Sequence, residues 1–232
     1  MEKKKLSLEH VFKPATITSS SASDESSVEK PENTPSIIML HGFGSDENDL
    51  FSFASELPGK YFIISLKAPI AMEPYGNAWY NINFDGSNEK FSDDEQAILS
   101  RDLIVRCIDE IISAYNIDAE KITLLGFSQG TILGLAVALS YPEKVKNVIA
   151  LSGYINEGIL VEGYNKNDFS RLNFYSSHGD VDQVIPVEWA RKTKPFLNKL
   201  GIDCHYSEFP VGHGVSPQNF YEFKQWLSEV DG

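Results

Sequence analysis

The sequence has few cysteines and lacks a long apolar run. Cys107 and Cys204 are the only two cysteines in 232 residues, which is too few for a disulfide framework. Cys107 lies on the apolar side of a helical pattern, and we interpret it as a buried free thiol. No apolar run reaches the roughly 18 residues of a membrane-spanning helix, and no signal-peptide core follows the lysines at residues 3–5. We therefore expect a cytoplasmic protein without a membrane-inserted segment.

Positive charge is scarce as well. The chain has 20 lysines and arginines against 33 aspartates and glutamates, for a net charge of −13. Such a surface repels phosphate backbones and anionic membranes, so we do not expect nucleic acid as a partner. What is present is globular: 42% of the residues are hydrophobic and 12% aromatic, enough to bury the core of one domain.

Composition divides the chain into three segments of a single domain. Residues 1–18 form a lead-in in which Leu6–Phe12 alternates weakly and predicts an edge strand. Residues 19–35 are rich in Ser and Glu, with Val28 as the only large apolar side chain, and predict a flexible loop. A solvated connection is favoured over a phosphorylated or docking segment. Residues 36–232 form the folded core.

Strands and helices alternate along this core. Strands are predicted at Ile37–Leu40, Tyr61–Leu66, Ile122–Leu125, Val148–Leu151, Leu172–Ser177 and around Cys204–Phe209. Helices are predicted after Ser45, behind a capping box at 92–95, at 131–139, at 187–200 and from Ser216–Pro217. The alternation implies an α/β fold, a mainly parallel central sheet with helices on both faces. Ligands bind beyond the carboxyl ends of the strands in such sheets.

One turn in this pattern carries a chemical signature. Gly126-Phe127-Ser128-Gln129-Gly130 lies between an apolar strand and a helix rich in Leu and Ala. In that context Gly-x-Ser-x-Gly indicates a sharp strand-to-helix turn that presents the serine as a nucleophile. The two glycines allow the backbones to approach while Ser128 takes a strained conformation. The alternative is that Ser128 only caps the helix.

A nucleophilic serine needs a neighbouring base, and histidine suits neutral pH. Of the five histidines, His10 and His205 lie inside predicted strands. His41 and His178 precede glycines at strand ends, where we expect them to shape turns. His213 lies in a glycine-flanked loop after the last strand and can approach the end of the sheet. The sequence therefore favours His213 as the base.

The third member of such a site is an acid that orients the imidazole. Asp180 and Asp182 both follow a predicted strand, and we prefer Asp182. The resulting chain order of Ser128, Asp182 and His213 is the order of nucleophile, acid and base in α/β-hydrolases.

A tetrahedral intermediate also needs hydrogen-bond donors for its oxyanion. The backbone N–H of Gln129, directly after the nucleophile, is one candidate. The second donor is expected in the loop after an early strand, where Phe43 N–H is preferred and Gly42 N–H is the alternative. This chemistry requires neither a metal nor an organic cofactor, and we expect none.

Four ordered motifs resemble the phospholipase/carboxylesterase family of α/β-hydrolases, which includes bacterial carboxylesterases and acyl-protein thioesterases (lysophospholipases). The motifs are Leu40–Gly44, Gly126–Gly130, His178–Pro186 and Gly212–His213, and the similarity runs from about Ser36 to the C-terminus. The resemblance implies the α/β-hydrolase fold and a homodimer. It also implies the triad acid at Asp182 and the oxyanion donors at Phe43 and Gln129.

The segment Ala78-Trp79-Tyr80 resembles a family stretch beside the active site that reads Trp-Phe-Asp, but Asn81 stands at its third position here. We predict that Trp79, Tyr80 and Phe43 line an acyl pocket. The alternative is that Trp79 and Tyr80 only pack the loop.

Together these features predict a serine hydrolase of small carboxylic esters. Ser128 attacks the acyl carbonyl with His213 as base, and water releases the acid from an acyl-enzyme. Acyl-protein thioesterase or lysophospholipase activity is the alternative, because the same residues serve both. A non-catalytic binding module on a hydrolase scaffold is the hypothesis from another class, and it predicts loss of a triad member.

Overall fold

The computed structural model describes residues 1–16, 34–84 and 90–231. Its main sheet and two small hairpin sheets contain strands that we number in chain order. They are β1 (His10–Lys13), β2 (Thr34–Leu40), β3 (Phe62–Leu66), β4 (Ile70–Ala71), β5 (Asn77–Ala78), β6 (Ile82–Phe84), β7 (Lys90–Ser92), β8 (Ile117–Phe127), β9 (Asn147–Leu151), β10 (Asn173–Gly179) and β11 (Cys204–Phe209).

The helices separate these strands. They are α1 (Asp94–Tyr115), α2 (Gln129–Ser140), α3 (Val187–Ala190), α4 (Thr193–Lys199) and α5 (Pro217–Val230). Short 3₁₀ helices occur at Leu50–Ser55, Pro142–Lys144, Glu157–Ile159 and Tyr164–Lys166. Within the described ranges, no helix combines the length and apolar character required to cross a membrane.

The main sheet has seven strands in the spatial order β1-β3-β2-β8-β9-β10-β11. Its neighbouring strands are parallel except for β1, which pairs antiparallel with β3 at the edge. The predicted mainly parallel sheet is therefore present. Because β2, β8, β10 and β11 point the same way, the loops that follow them meet at one end of the sheet.

Both faces of the sheet are covered, because successive strand residues point to opposite sides. Ile38 and Leu40 belong to one core, which also contains buried residues of α1, α2 and α4. Ile37 and Met39, their neighbours in β2, belong to a second core with α5. The prediction of helices on both faces is confirmed by these two cores.

Helix α1 begins one residue later than the predicted capping box suggests. Its N-cap is Asp93, whose side chain accepts a hydrogen bond from Gln96 N–H at 3.0 Å. It ends where Asn116 takes a left-handed conformation with φ of 55°. Cys107 is fully buried in this helix, as predicted, and burial raises the pKa of its thiol to about 12.

Two predicted helices differ from the observed ones. The helix predicted over 187–200 is divided into α3 and α4, because Pro195 has no N–H to donate to Arg191 O in one continuous helix. Placed in the first turn of α4, Pro195 leaves no such bond missing. The helix predicted after Ser45 begins at Leu50 and is a 3₁₀ helix, since Ser45 O instead accepts a bond from Asn77 N–H at 2.7 Å.

The N-terminal predictions are met in part. The edge strand predicted at Leu6–Phe12 is observed at His10–Lys13. Strand β2 already begins at Thr34, so the predicted loop 19–35 extends too far by two residues. Residues 19–33 of that loop lie outside the described residues.

Asp231 ties the end of α5 back to the sheet. Its carboxylate accepts hydrogen bonds from Tyr61 Oη at 2.7 Å, Lys146 Nζ at 2.9 Å and Asn147 Nδ2 at 3.0 Å. Burial alone would raise the pKa of Asp231, but these bonds outweigh burial and hold it below its usual range. The ionised carboxylate therefore stabilises the folded chain.

Candidate active site

Ser128 occupies the turn between β8 and α2 in a strained backbone conformation. Its φ is 54° and its ψ is −116°, in the region of positive φ that residues with a Cβ rarely adopt. The strain is held by the sheet, because Ser128 N–H donates to Leu151 O of β9 at 2.9 Å. Ser128 stands at the N-cap position of α2, yet its side chain makes no capping bond. The alternative of a simple helix cap does not describe this serine.

The flanking glycines are required by close backbone approaches. A Cβ on Gly126 would lie 2.6 Å from Thr131 N, and one on Gly130 would lie 2.0 Å from Leu40 O. Neither distance is compatible with a side chain. The two glycines thus allow β2, β8 and α2 to converge directly beneath the serine.

Three residues predicted from the sequence form one hydrogen-bonded series. His213 Nε2 lies 2.9 Å from Ser128 Oγ, and His213 Nδ1 lies 2.7 Å from Asp182 Oδ2. The other carboxylate oxygen, Oδ1, accepts the backbone N–H of Val184 at 2.8 Å and of Ile185 at 3.0 Å. These bonds fix the carboxylate. Because an ionised carboxylate can only accept a hydrogen bond, His213 carries its proton on Nδ1.

The electrostatics of Asp182 keep it ionised. Burial would raise the pKa of this carboxyl, but hydrogen bonds from His213, Ile185 and Val184 outweigh burial and hold the pKa below its usual range. The alternative acid, Asp180, is exposed, and its N–H donates to Phe209 O. The partner of the imidazole is therefore Asp182.

A second loop lies against the serine. A Cβ on Gly42 would be 3.4 Å from Ser128 Cβ, which places the loop after β2 beside the nucleophile. Gln129 is the first residue of α2, so its N–H has no acceptor within the helix. Among the described residues, neither this N–H nor that of Phe43 has a backbone acceptor. Both donors predicted for an oxyanion are therefore available to a ligand.

His41 holds this second loop in place. Its Nδ1 lies 2.7 Å from Gly42 O, and Ala68 N–H donates to its Nε2 at 3.0 Å. Burial lowers the pKa of His41, so the ring is neutral and can make both bonds. This histidine shapes its turn, as the sequence predicts.

Sequence reasoning missed the task of the Gln129 side chain. Its Oε1 accepts Trp79 N–H at 2.8 Å, and its Nε2 donates to Tyr80 O at 2.7 Å. It thus ties the nucleophile turn to residues Trp79–Tyr80, which we call the aromatic loop. A long amide side chain directly after the serine indicates that it can bond to another segment. The sequence does not show which segment, because the partner is distant along the chain.

The prediction that Trp79 lines the pocket is wrong. Trp79 is 0% exposed, and its indole N–H donates to His41 O at 2.9 Å. The indole ring therefore lies in the protein interior, where it packs the aromatic loop, and it does not line the cavity. Phe43 and Tyr80, the other two predicted residues, do line a cavity at the nucleophile.

This apolar cavity has a volume of about 450 Å³ and opens at Ser128 and His213. Apolar and aromatic side chains dominate its wall, which suits a hydrocarbon group. Most of these residues carry no sequence signature, because they come from separate segments. Besides the predicted ones they are Ile82, Ser92, Ile132, Tyr154, Val184, Ile185 and Trp189.

In the part of the chain that the structure describes, no three His, Cys, Asp or Glu side chains are grouped as metal ligands would be.

Known proteins resemble this chain over most of its length. A family model described as Phospholipase/Carboxylesterase matches residues 24–230. The chain is 30% identical over 215 residues to acyl-protein thioesterase 1 of Candida albicans, covering 84% of the chain and 91% of that relative. It is 28% identical over 137 residues to the probable carboxylesterase SOBER1-like of Arabidopsis thaliana; this match covers 59% of the chain and 52%, about half, of the plant protein.

The fold resembles a solved structure over nearly the whole chain. The crystal structure of esterase PE8 superposes with a TM-score of 0.78 at 23% identity, covering 96% of this chain and 99% of the other. A likeness at this identity concerns the fold, and it confirms the predicted α/β-hydrolase architecture.

Proposed function

We propose that this chain, which belongs to the phospholipase/carboxylesterase family, is a serine hydrolase of carboxylic esters. One observation carries the proposal: the hydrogen-bonded series from Asp182 through His213 to Ser128 ends in an apolar cavity. A serine hydroxyl at 2.9 Å from an oriented imidazole can be deprotonated as it attacks. The cavity supplies room for the acyl chain beside it.

The first half of the reaction forms an acyl-enzyme. Ser128 Oγ attacks the ester carbonyl while His213 Nε2 takes its proton, and Asp182 stabilises the imidazolium. The N–H groups of Phe43 and Gln129 stabilise the oxyanion, a contribution of about 10²–10³ in kcat for one donor. The C–O bond to the alcohol then breaks, and His213 returns the proton to the departing alkoxide.

The second half repeats these steps with water. His213 removes a proton from water as its oxygen attacks the acyl carbon, and the same donors stabilise the second oxyanion. Collapse of this intermediate breaks the bond to Ser128, which takes back the proton from His213. The carboxylic acid leaves, and the free enzyme is restored without a cofactor.

Hydrolysis of acyl thioesters is the second candidate function. It is favoured by the relative from Candida albicans, which is named an acyl-protein thioesterase. The apolar lining of the cavity would accept a lipid acyl chain. A thiol leaves more readily than an alcohol, so the same residues serve both reactions, and lysophospholipids stay among the possible esters.

Hydrolysis of p-nitrophenyl esters from acetate to palmitate by wild type and Ser128→Ala tests the proposal. We expect turnover by the wild type that is lost in the variant, with a chain-length optimum set by the apolar cavity. An optimum at short acyls favours a general carboxylesterase, and a rise toward long acyls favours thioester or lysophospholipid substrates. A wild type that leaves every ester intact would instead support the non-catalytic binding module.

A further inference from the structure

A second cavity adjoins the apolar one. Its volume is about 410 Å³, and Ser92, Tyr154 and Trp189 line both cavities. The rings of Tyr154 and Trp189 meet edge to face, with centroids 5.0 Å apart at an angle of 75°. This aromatic pair belongs to the wall that the two cavities share.

The two cavities differ in chemistry. The second contains Asp94, Glu157 and Lys192, and we call it the polar cavity. Thr193 also lines it, and its hydroxyl is buried without a hydrogen-bond partner among the described residues. Because this hydroxyl has almost no accessible surface, the Thr193 side chain must rotate toward the cavity wall before a ligand group can bond to it and remove the cost of an unpaired buried hydroxyl.

The charged groups of the polar cavity have spare hydrogen-bonding capacity. Asp94 Oδ1 accepts a hydrogen bond from Asn156 Nδ2 at 2.8 Å, and Glu157 Oε2 accepts one from Tyr164 Oη at 3.3 Å. Both carboxylates therefore keep lone pairs that can accept further hydrogen bonds. Lys192 is exposed and forms no ion pair with a side chain that the structure describes, so its three donors are free to bond to a ligand. The cavity thus offers acceptors, donors and one hydroxyl.

We propose that the polar cavity binds the alcohol portion of the ester, and that its preferred occupant is uncharged and bears hydroxyl groups, as a glyceryl group does. This inference rests on the proposed ester hydrolysis. Asp94 and Glu157 would repel an anion, and a quaternary ammonium has no N–H or O–H group to donate to these carboxylates. An alkyl group would leave the hydroxyl of Thr193 unpaired.

Hydroxyl groups of the substrate meet all of these requirements. Each one donates to a carboxylate or accepts from Lys192 or Thr193 without placing like charges together. The acyl chain then occupies the apolar cavity, and the ester lies across the pair of Tyr154 and Trp189. Specificity for the alcohol is separated in this way from specificity for the acid.

The test compares two butyrate esters of three-carbon alcohols, glyceryl butyrate and propyl butyrate, which differ by two hydroxyls. Calorimetric titration of the Ser128→Ala variant measures binding without turnover. We expect glyceryl butyrate to bind about tenfold more tightly, the value of one net hydrogen bond to a charged group. Thr193→Val, which removes the hydroxyl at constant shape, should reduce that preference about fivefold.

The stability of Thr193→Val is the internal control, since a hydroxyl without a partner can be removed without loss of thermal stability. Equal binding of the two esters, or tighter binding of the cation butyrylcholine, would overturn the inference. Hydrolysis of propyl butyrate by wild type and not by Ser128→Ala reports separately on the proposed function. A failed inference is therefore distinguishable from a failed function.

Discussion

Replacement of Asp182 by asparagine should separate the orientation of His213 from the packing around it. The amide oxygen can still accept the backbone N–H groups of Val184 and Ile185, as Oδ1 does now at 2.8 and 3.0 Å. The amide NH₂ would then face His213 Nδ1 in place of the oxygen at 2.7 Å. Two donors cannot bond, so the imidazole proton moves to Nε2, which can no longer accept a proton from Ser128.

The size of this effect follows from the loss of the base. We expect kcat to fall by about 10⁴, or roughly 5.5 kcal/mol of transition-state stabilisation. Initial rates on p-nitrophenyl acetate measure it, with urea unfolding to show that the variant folds. Asp180→Asn is the matched control, because Asp180 is exposed and should retain kcat within about twofold.

The opposite ranking of the two variants would move the acid to Asp180. Retention of more than about a tenth of kcat in Asp182→Asn would refute the argument that this carboxylate fixes the tautomer of His213. Either result is visible in a single assay. Neither depends on knowledge of the natural substrate.

Three further predictions concern packing and charge. Gly130→Ala places a Cβ 2.0 Å from Leu40 O and should lower the free energy of unfolding, measured with urea, by about 3 kcal/mol. Gly134→Ala in the same helix places its Cβ 3.8 Å from a Leu40 methyl and should be neutral or stabilising. Equal effects of the two substitutions would contradict the close backbone approach at Gly130. Gln129→Leu keeps the backbone donor but frees the aromatic loop, so kcat/KM for esters should fall at least about tenfold. Gln129→Glu should not restore the value, because a carboxylate has no N–H to donate to Tyr80 O. An unchanged kcat/KM in Gln129→Leu would show that other contacts hold the loop. Asp231→Asn should lose on the order of 2 kcal/mol at neutral pH. Because the pKa of Asp231 is depressed in the folded state, its contribution to stability is complete above the ordinary value of 3.8 and disappears as pH falls through the folded pKa. The free energies of unfolding of wild type and Asp231→Asn should therefore converge in acid. A difference that stays constant with pH would refute the charge assignment.

The arrangement of the site was accessible from the sequence because parallel strands have a common direction. Ser128, Asp182 and His213 each follow a predicted strand of a mainly parallel sheet, so their loops were expected to meet at one end of the sheet. The order of the three residues in the chain does not distinguish Asp182 from Asp180; the family resemblance of His178–Pro186 favoured Asp182, and the hydrogen bond to His213 agrees with it. Local pattern and topology pointed to the same residues.

What the sequence could not supply depends on contacts between distant segments. The indole of Trp79 is buried because its N–H reaches His41 O and its backbone N–H reaches Gln129, and no local pattern encodes either bond. Apolar spacing over 187–200 predicted one helix, since periodicity does not register the missing N–H of Pro195. The polar cavity likewise exists only where Thr193 meets residues from other elements.

The proposed mechanism requires covalent attack by Ser128, and trapping of the acyl-enzyme would detect that attack. We would mix the enzyme with excess p-nitrophenyl acetate, quench in acid within the first turnover, and determine the intact mass and the modified peptide. We expect one added acetyl group, on the peptide that contains Ser128, and none in Ser128→Ala. Hydrolysis that proceeds without this adduct, or an acetyl group that persists in the alanine variant, would contradict the proposed mechanism.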